Sequence, residues 1–213
     1  MKKSTLFFII IYFTLFINKL FSWEKSLEKN DVVVYTRSVS YSSVKEYKAI
    51  ARVHASLSTV YAVFNDVPNY KNWMHLCKKS KIVKDISLNQ KYIYLEIQPK
   101  GPTSPRDVVI NANITQNPKD KELIIQIQSI KDILPEKNGI IRVPKLKGYY
   151  KLKPLKNKEV EITYQQFVDP GGNVPAFLFN TTITSEPYNT LNNLRQETQK
   201  AKYQKAKFDF IKE

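Results

Sequence analysis

Two histidines and a single cysteine are the residues of this chain best suited to metal or thiol chemistry. His75 and Cys77 stand two positions apart, but no third ligand lies at a spacing that would complete a metal set. His54 alternates opposite Val53 and Ala55 and is expected to face outward. One thiol excludes an internal disulfide. Cys77 is open to two readings, a nucleophile or a half-buried spectator, and the second is the simpler. Glu159 and Glu161 place two carboxylates beside a lysine-rich turn, where solvent is expected to hold them. No Gly-x-Ser-x-Gly elbow and no phosphate-cradling glycine loop occurs. No catalytic residue, metal ligand or cofactor site is therefore assigned.

Polar residues also stand on apolar strand faces. Arg106 shares a face with Val108 and Ile110, and Gln166 shares one with Tyr164. An unpaired buried polar group costs about 1–3 kcal/mol. Such groups either orient a bound molecule or pair with each other. For Arg106 the pairing alternative is an ion pair with Glu96 on the neighbouring strand. Asp107 points to the opposite face and is read as structural. An enzymatic alternative would use Tyr164, Arg106 or His75 to polarise a carbonyl.

The elements that must position these groups follow from periodicity. Alternating runs predict strands over 31–40, 46–55, 76–86, 90–98, 106–116, 121–130, 139–153 and 158–168. The turns at 117–120 and 156–158 are short and polar, which implies antiparallel pairing. The small residues Ala49, Ala51 and Ala55 on one side of 46–55 point to close packing against a helix. Ser56 is placed to cap a short helix whose Leu57, Val60, Val63 and Phe64 share one face. A second helical piece carries Tyr70 and Trp73. Residues 174–211 read as one long helix, with Tyr188, Leu191, Leu194, Thr198 and Ala201 in a stripe and Pro187 as a kink or a restart.

Between the last strand and that helix stands "VDPGGNVP", with two of the chain's five glycines. Pro170 cannot donate to a strand ladder, and Gly171 and Gly172 permit positive φ. Asp169 is set to accept backbone N–H bonds in the turn. Asn173 is a candidate helix cap, with Pro175 in the first turn.

Composition bounds the rest. With 42% hydrophobic residues the chain can bury one sizeable core, so residues 23–213 are expected to form a single domain. Lys2 and Lys3, then the uncharged run 6–17, then Ser22 before Trp23, have the layout of a signal peptide over 1–22. An uncleaved anchor is the alternative, because Leu20 is large where cleavage prefers a small residue. Export to the periplasm or beyond follows from either. Removing 1–22 deletes Lys2, Lys3 and Lys19 and no acid, so the net charge of +15 becomes +12. That surplus suits an anionic membrane surface, and an exported protein seldom meets nucleic acid. Scattered lysines of a lysine-rich composition explain the charge equally well. A monomer is expected.

"DPGGNVPAFLFN" and "PYNTLNNLRQ", preceded by "GIIRVPKLKGYYKLKP", "PRDVVI" and "NYKNWM", together resemble the START lipid-binding domain in its bacterial exported form. The resemblance covers roughly residues 24–204. It implies an α+β helix-grip fold, related to the Bet v 1-like superfamily: a curved antiparallel sheet wrapped around a long C-terminal helix. It also implies an apolar tunnel holding a lipid or other hydrophobic molecule, for sequestration or transfer and without catalysis, with cyclase-like or hydrolase-like chemistry on a hydrophobic substrate in the same cavity as the alternative. Val108 and Ile110, Leu123, Ile125 and Ile127, Val160, Ile162 and Tyr164, and Phe177, Leu178 and Ile183 would line it. Tyr94, Arg106, Tyr150, Gln166 and Asn180 would add polar contacts. A solid core built from the same residues is the alternative. Family members that carry sterols often have a second arginine soon after the Arg-Asp pair, and "RDVVINAN" has none. The C-terminal helix or the proline-rich loop 99–105 would serve as lid.

Overall fold

The computed structural model describes residues 22–213 except Pro102; apart from Ser22, the expected leader lies outside the described residues. Among the described residues ten strands form one sheet: β1 Glu24–Lys29, β2 Val32–Val39, β3 Ser42–His54, β4 Cys77–Ser87, β5 Gln90–Ile97, β6 Arg106–Gln116, β7 Leu123–Ser129, β8 Ile141–Arg142, β9 Lys145–Pro154 and β10 Glu159–Asp169. Their order is β1-β2-β3-β10-β9-β7-β6-β5-β4, with the short β8 alongside β6. Every pairing is antiparallel except β6–β8. β10 therefore joins two meanders, setting Val160 against Val53 on one side and Pro154 on the other.

The alternation in the sequence places most strands, and the departures have local causes. The run 139–153 is not one strand: Val143 and Pro144 separate β8 from β9, and Pro144 has no N–H to offer a ladder. β1, "EKSLEK", is an additional exposed edge strand.

α1, Leu57–Asn65, starts at Ser56, whose Oγ accepts the Thr59 N–H at 3.1 Å as the sequence leads one to expect. Residues 57–64 are all buried. A 3₁₀ turn, Val67–Asn72, then delivers Tyr70 and Trp73 to the core.

The C-terminal helix is broken, which corrects the single helix expected over 174–211. α2 is Ala176–Thr182, α3 is Ser185–Glu197 and α4 is Ala201–Gln204. In a continuous helix the Pro187 ring would clash with the carbonyl of Ile183, so the chain restarts and seats Pro187 in the first turn of α3. Leu191, Leu194 and Thr198 of the expected stripe are wholly buried, while Ala201, beyond the second break, is exposed. The turn before α2 holds Gly171 and Gly172 at φ of 64° and 67°, and the Gly171 N–H donates to Asp169 Oδ1 at 3.0 Å. Asn173 does not cap α2, whose N-cap position is Pro175.

Beyond α4 the tail returns to α1. Ile211 is buried, and the Glu213 carboxylate accepts the N–H groups of Leu57 and Ser58 at 3.0 and 2.9 Å. Phe208 and Phe210 pack edge-on against Tyr61.

Candidate functional site

The helix-facing side of the sheet is set by the register of β10. Ile162 lies between Ala51 and Leu152, Tyr164 between Ala49 and Tyr150, and Gln166 between Tyr47 and Gly148. The small Ala49 and Ala51 keep β3 low beneath α3, which packs on it. Val108, Ile110, Ile125, Ile127 and Ile162 join Ile183, Leu191 and Leu194 in one buried core.

A polar cluster is embedded in that apolar surface. Tyr47 Oη lies 2.8 Å from Tyr164 Oη and accepts from Gln166 Nε2 at 2.8 Å. Tyr164 Oη is 3.1 Å from Gln166 Oε1 and 3.3 Å from Glu186 Oε1. The Tyr47 hydroxyl also reaches Glu186, and Thr190 Oγ1 donates to the same carboxyl at 3.0 Å. Each hydroxyl has one proton, so Tyr47, Tyr164 and Thr190 share their donations around this carboxyl and the amide. Burial raises the Glu186 pKa, and the hydroxyls that donate to it pull the value back down. Burial also pushes the phenols of Tyr47, Tyr150 and Tyr164 well above the usual tyrosine value, so they are neutral donors.

An aromatic group continues from this cluster. The ring of Tyr150 stacks on Tyr164, with centroids 4.0 Å apart. Phe64 of α1 packs on Tyr150 at 4.7 Å and on Trp73 at 5.5 Å. Trp73 Nε1, Tyr150 Oη and Ser80 Oγ are buried without a hydrogen-bond partner among the described residues.

The remaining candidate residues are dispersed. Arg106 is buried at the start of β6, on the same side of the strand as Val108, and Ser104 O accepts from its guanidinium. The ion pair expected with Glu96 does not form. Arg106 pairs in register with Ile97, whereas Glu96 sits opposite Asp107 and faces the other way. Glu96 instead meets Lys78 and Lys137 at 3.4 and 3.7 Å. Tyr94 lies on that same outer face. It accepts from Lys137 Nζ at 2.7 Å and stands apart from the helix-facing core. Phe177 is 67% exposed, and Leu178 is exposed beside it. Asn180 fastens α2 to β3 by accepting from Lys45 N and donating to Ser43 O.

Asp107 is structural, as its parity indicates, and holds Arg142 through bonds of 2.6 and 3.3 Å. Burial raises the Cys77 thiol to about 11 and lowers the pKa of His75, so each favours its uncharged form. Among the described residues no group of three His, Cys, Asp or Glu side chains is placed to hold a metal.

Tyr47, Glu186 and Thr190 are site residues that the sequence reading omits. Tyr47 had a signal, since it continues the Ala49–Ala51–Val53 face. Glu186 had none, because it lies off the stripe of a helix read as continuous.

A sheet closed by C-terminal helices over an aromatic, polar-spotted interior defines the helix-grip class of α+β folds. The START domain matches residues 19–204, and the chain belongs to that family. An uncharacterized protein of Pseudomonas aeruginosa is 34% identical over 178 residues, covering 84% of this chain and 87% of that one. The phosphatidylcholine transfer protein of Mus musculus is 26% identical over 176 residues, with 81% of each chain covered. A STAR-related lipid transfer protein of Xanthomonas axonopodis has a TM-score of 0.79 and 29% identity, over 84% of this chain and 99% of that structure. The Zhui aromatase/cyclase of a Streptomyces species shares the fold alone, with a TM-score of 0.52 and 13% identity over 72% of this chain and 93% of that one. The family is mostly non-enzymatic, although some START-like relatives are cyclases.

Proposed function

We propose that this chain binds a lipid between the helix-facing side of its sheet and helices α2–α4, and carries or sequesters it without catalysis. Arg106 is the observation that carries this reading. A guanidinium 7% exposed, with no carboxylate in salt-bridge contact among the described residues, is expensive to bury. An anionic or strongly polar lipid head group would supply its counter-charge. Burial lowers the Arg106 pKa, the direction expected of a cation removed from water with no carboxylate beside it. Acyl chains would contribute roughly 25 cal/mol per Å² of apolar surface removed from water.

Residues 1–22 would direct export, by cleavage or as an anchor. The basic surface would bring the protein onto anionic membranes. Tyr41, Phe177 and Leu178 are exposed, and Lys145 Nζ lies 4.7 Å from the Tyr41 ring centroid, an apolar and basic surface that supports that contact. The neutral phenols of the Tyr47–Tyr164 cluster could also serve a cyclase-like reaction on a bound substrate. Turnover abolished by Tyr164→Phe with binding retained would establish it.

Native mass spectrometry and solvent extraction of protein purified from the exporting cell test the main reading. Co-purifying lipid, and uptake of fluorescent phospholipid that weakens in Arg106→Met, are the expected results. Protein that carries no lipid and takes up none would end it.

A further inference from the structure

Trp73 and Tyr150 are 1% and 3% exposed, yet neither the indole Nε1–H nor the phenol Oη has a partner among the described residues. Buried polar groups in folded proteins are nearly always hydrogen-bonded, and an indole N–H can only donate. Both rings pack on Phe64, which makes them neighbours in one aromatic group. The neighbouring hydroxyls are already committed. Tyr164, stacked on Tyr150, is the hydroxyl neighbour of Tyr150 Oη, outside hydrogen-bond distance, and is already engaged by Tyr47, Gln166 and Glu186, while Tyr70 Oη donates to the Phe64 carbonyl at 2.5 Å. The third unpaired group, Ser80 Oγ, has the Cys77 thiol as a neighbour.

Building on the lipid-binding reading, we infer that Trp73 Nε1 and Tyr150 Oη form a polar subsite that grips an acceptor oxygen of the lipid. The site then discriminates against plain hydrocarbon and selects an oxygen-bearing lipid. That oxygen comes from one of two places, an ester carbonyl or a head-group phosphate.

The chain has two tryptophans, so Trp23→Phe assigns the indole ¹H–¹⁵N resonance of Trp73. Delipidated protein is titrated with dioleoyl phosphatidylcholine vesicles, with the dialkyl-ether analogue, and with methyl oleate. Uptake is measured separately by mass spectrometry. A downfield indole shift with the diester and methyl oleate, but not with the ether, supports the inference and assigns the carbonyl. A shift with both phosphatidylcholines, but not with methyl oleate, supports it and assigns the phosphate.

Tyr150→Phe provides an independent arm. Without lipid its thermal midpoint should equal or exceed that of the parent, because an unpaired hydroxyl is removed. Its lipid affinity should fall about three- to tenfold. Lipid taken up with the Trp73 indole unmoved and Tyr150→Phe binding unchanged overturns the subsite but leaves lipid binding standing. A Tyr150→Phe protein that is less stable without lipid also overturns it, since the hydroxyl would then have a partner in the protein. Failure of every lipid to enter removes both readings.

Discussion

Tyr47 on β3 and Tyr164 on β10 bring their hydroxyls to 2.8 Å, and both phenols converge on Glu186 at the start of α3. A helix terminus is thus tied to the seam where the two halves of the sheet meet. Tyr164→Phe removes the hydroxyl facing Gln166 Oε1 and should cost about 1–3 kcal/mol in urea unfolding. Tyr150→Phe, a few ångströms away, should cost nothing without lipid. Equal losses in the two variants would contradict the hydrogen-bond assignment.

Glu186 should leave a signature in the pH dependence of stability. Burial raises its pKa in the folded protein above the ordinary value of 4.5. The native state then holds the proton more tightly than the unfolded chain does. The stability contributed is whole below about 4.5 and is lost as pH rises through the folded value. Glu186→Gln should flatten that decline. Urea midpoints across this range that run parallel for the two proteins would refute it.

Asp107 is 1% exposed and clasps Arg142, which also donates to the carbonyls of Leu134 and Pro135 at 3.1 Å. Asp107→Ala leaves a partly buried guanidinium without its partner. It should lower stability by about 3–5 kcal/mol and open the 131–143 loop to limited proteolysis. Cleavage that stays as slow as in the parent protein would show that the clasp does not hold the loop.

Gly148 is fixed by close approach. A Cβ there would stand 2.3 Å from the carbonyl oxygen of Gln165 on β10. Gly148→Ala should force β9 away from β10, at about 1–3 kcal/mol or more. Hydrogen exchange should rise at Gln165, Gln166 and Tyr149. Unchanged protection at those amides would show that the strands absorb the methyl group.

Glu213 accepts two N–H groups at the start of α1, in the manner of a capping residue. Glu213→Ala should cost about 0.5–2 kcal/mol, and calorimetry would record the drop.

Several elements were legible because one cause dominated each. β7 and the second half of β6 alternate because one face meets the core, and α1 announces itself through Ser56 and its apolar spacing. β1 left no such trace, because an exposed edge strand has no face to make apolar. The end of α3 was hidden as well: no glycine or proline follows it, and Lys200 simply turns extended. Tyr94 was assigned to the wrong face because its neighbours Ile93 and Leu95 are as apolar as it is, and in a strand buried on both sides composition no longer reports parity. The Glu186 cluster depends on where a helix restarts, a tertiary fact that residue spacing along a continuous helix does not encode.

Val53 waits for Val160. During translation, one margin of β3 emerges about a hundred residues before its mate, an interval of roughly 5–20 s at ordinary elongation rates. β4 to β9 can assemble meanwhile, since their neighbours are already in hand. The nascent N-terminal hairpin therefore carries an open, alanine- and valine-lined margin until the final strand clears the ribosome, and how long it does so is fixed by chain order and not by any property of the finished fold.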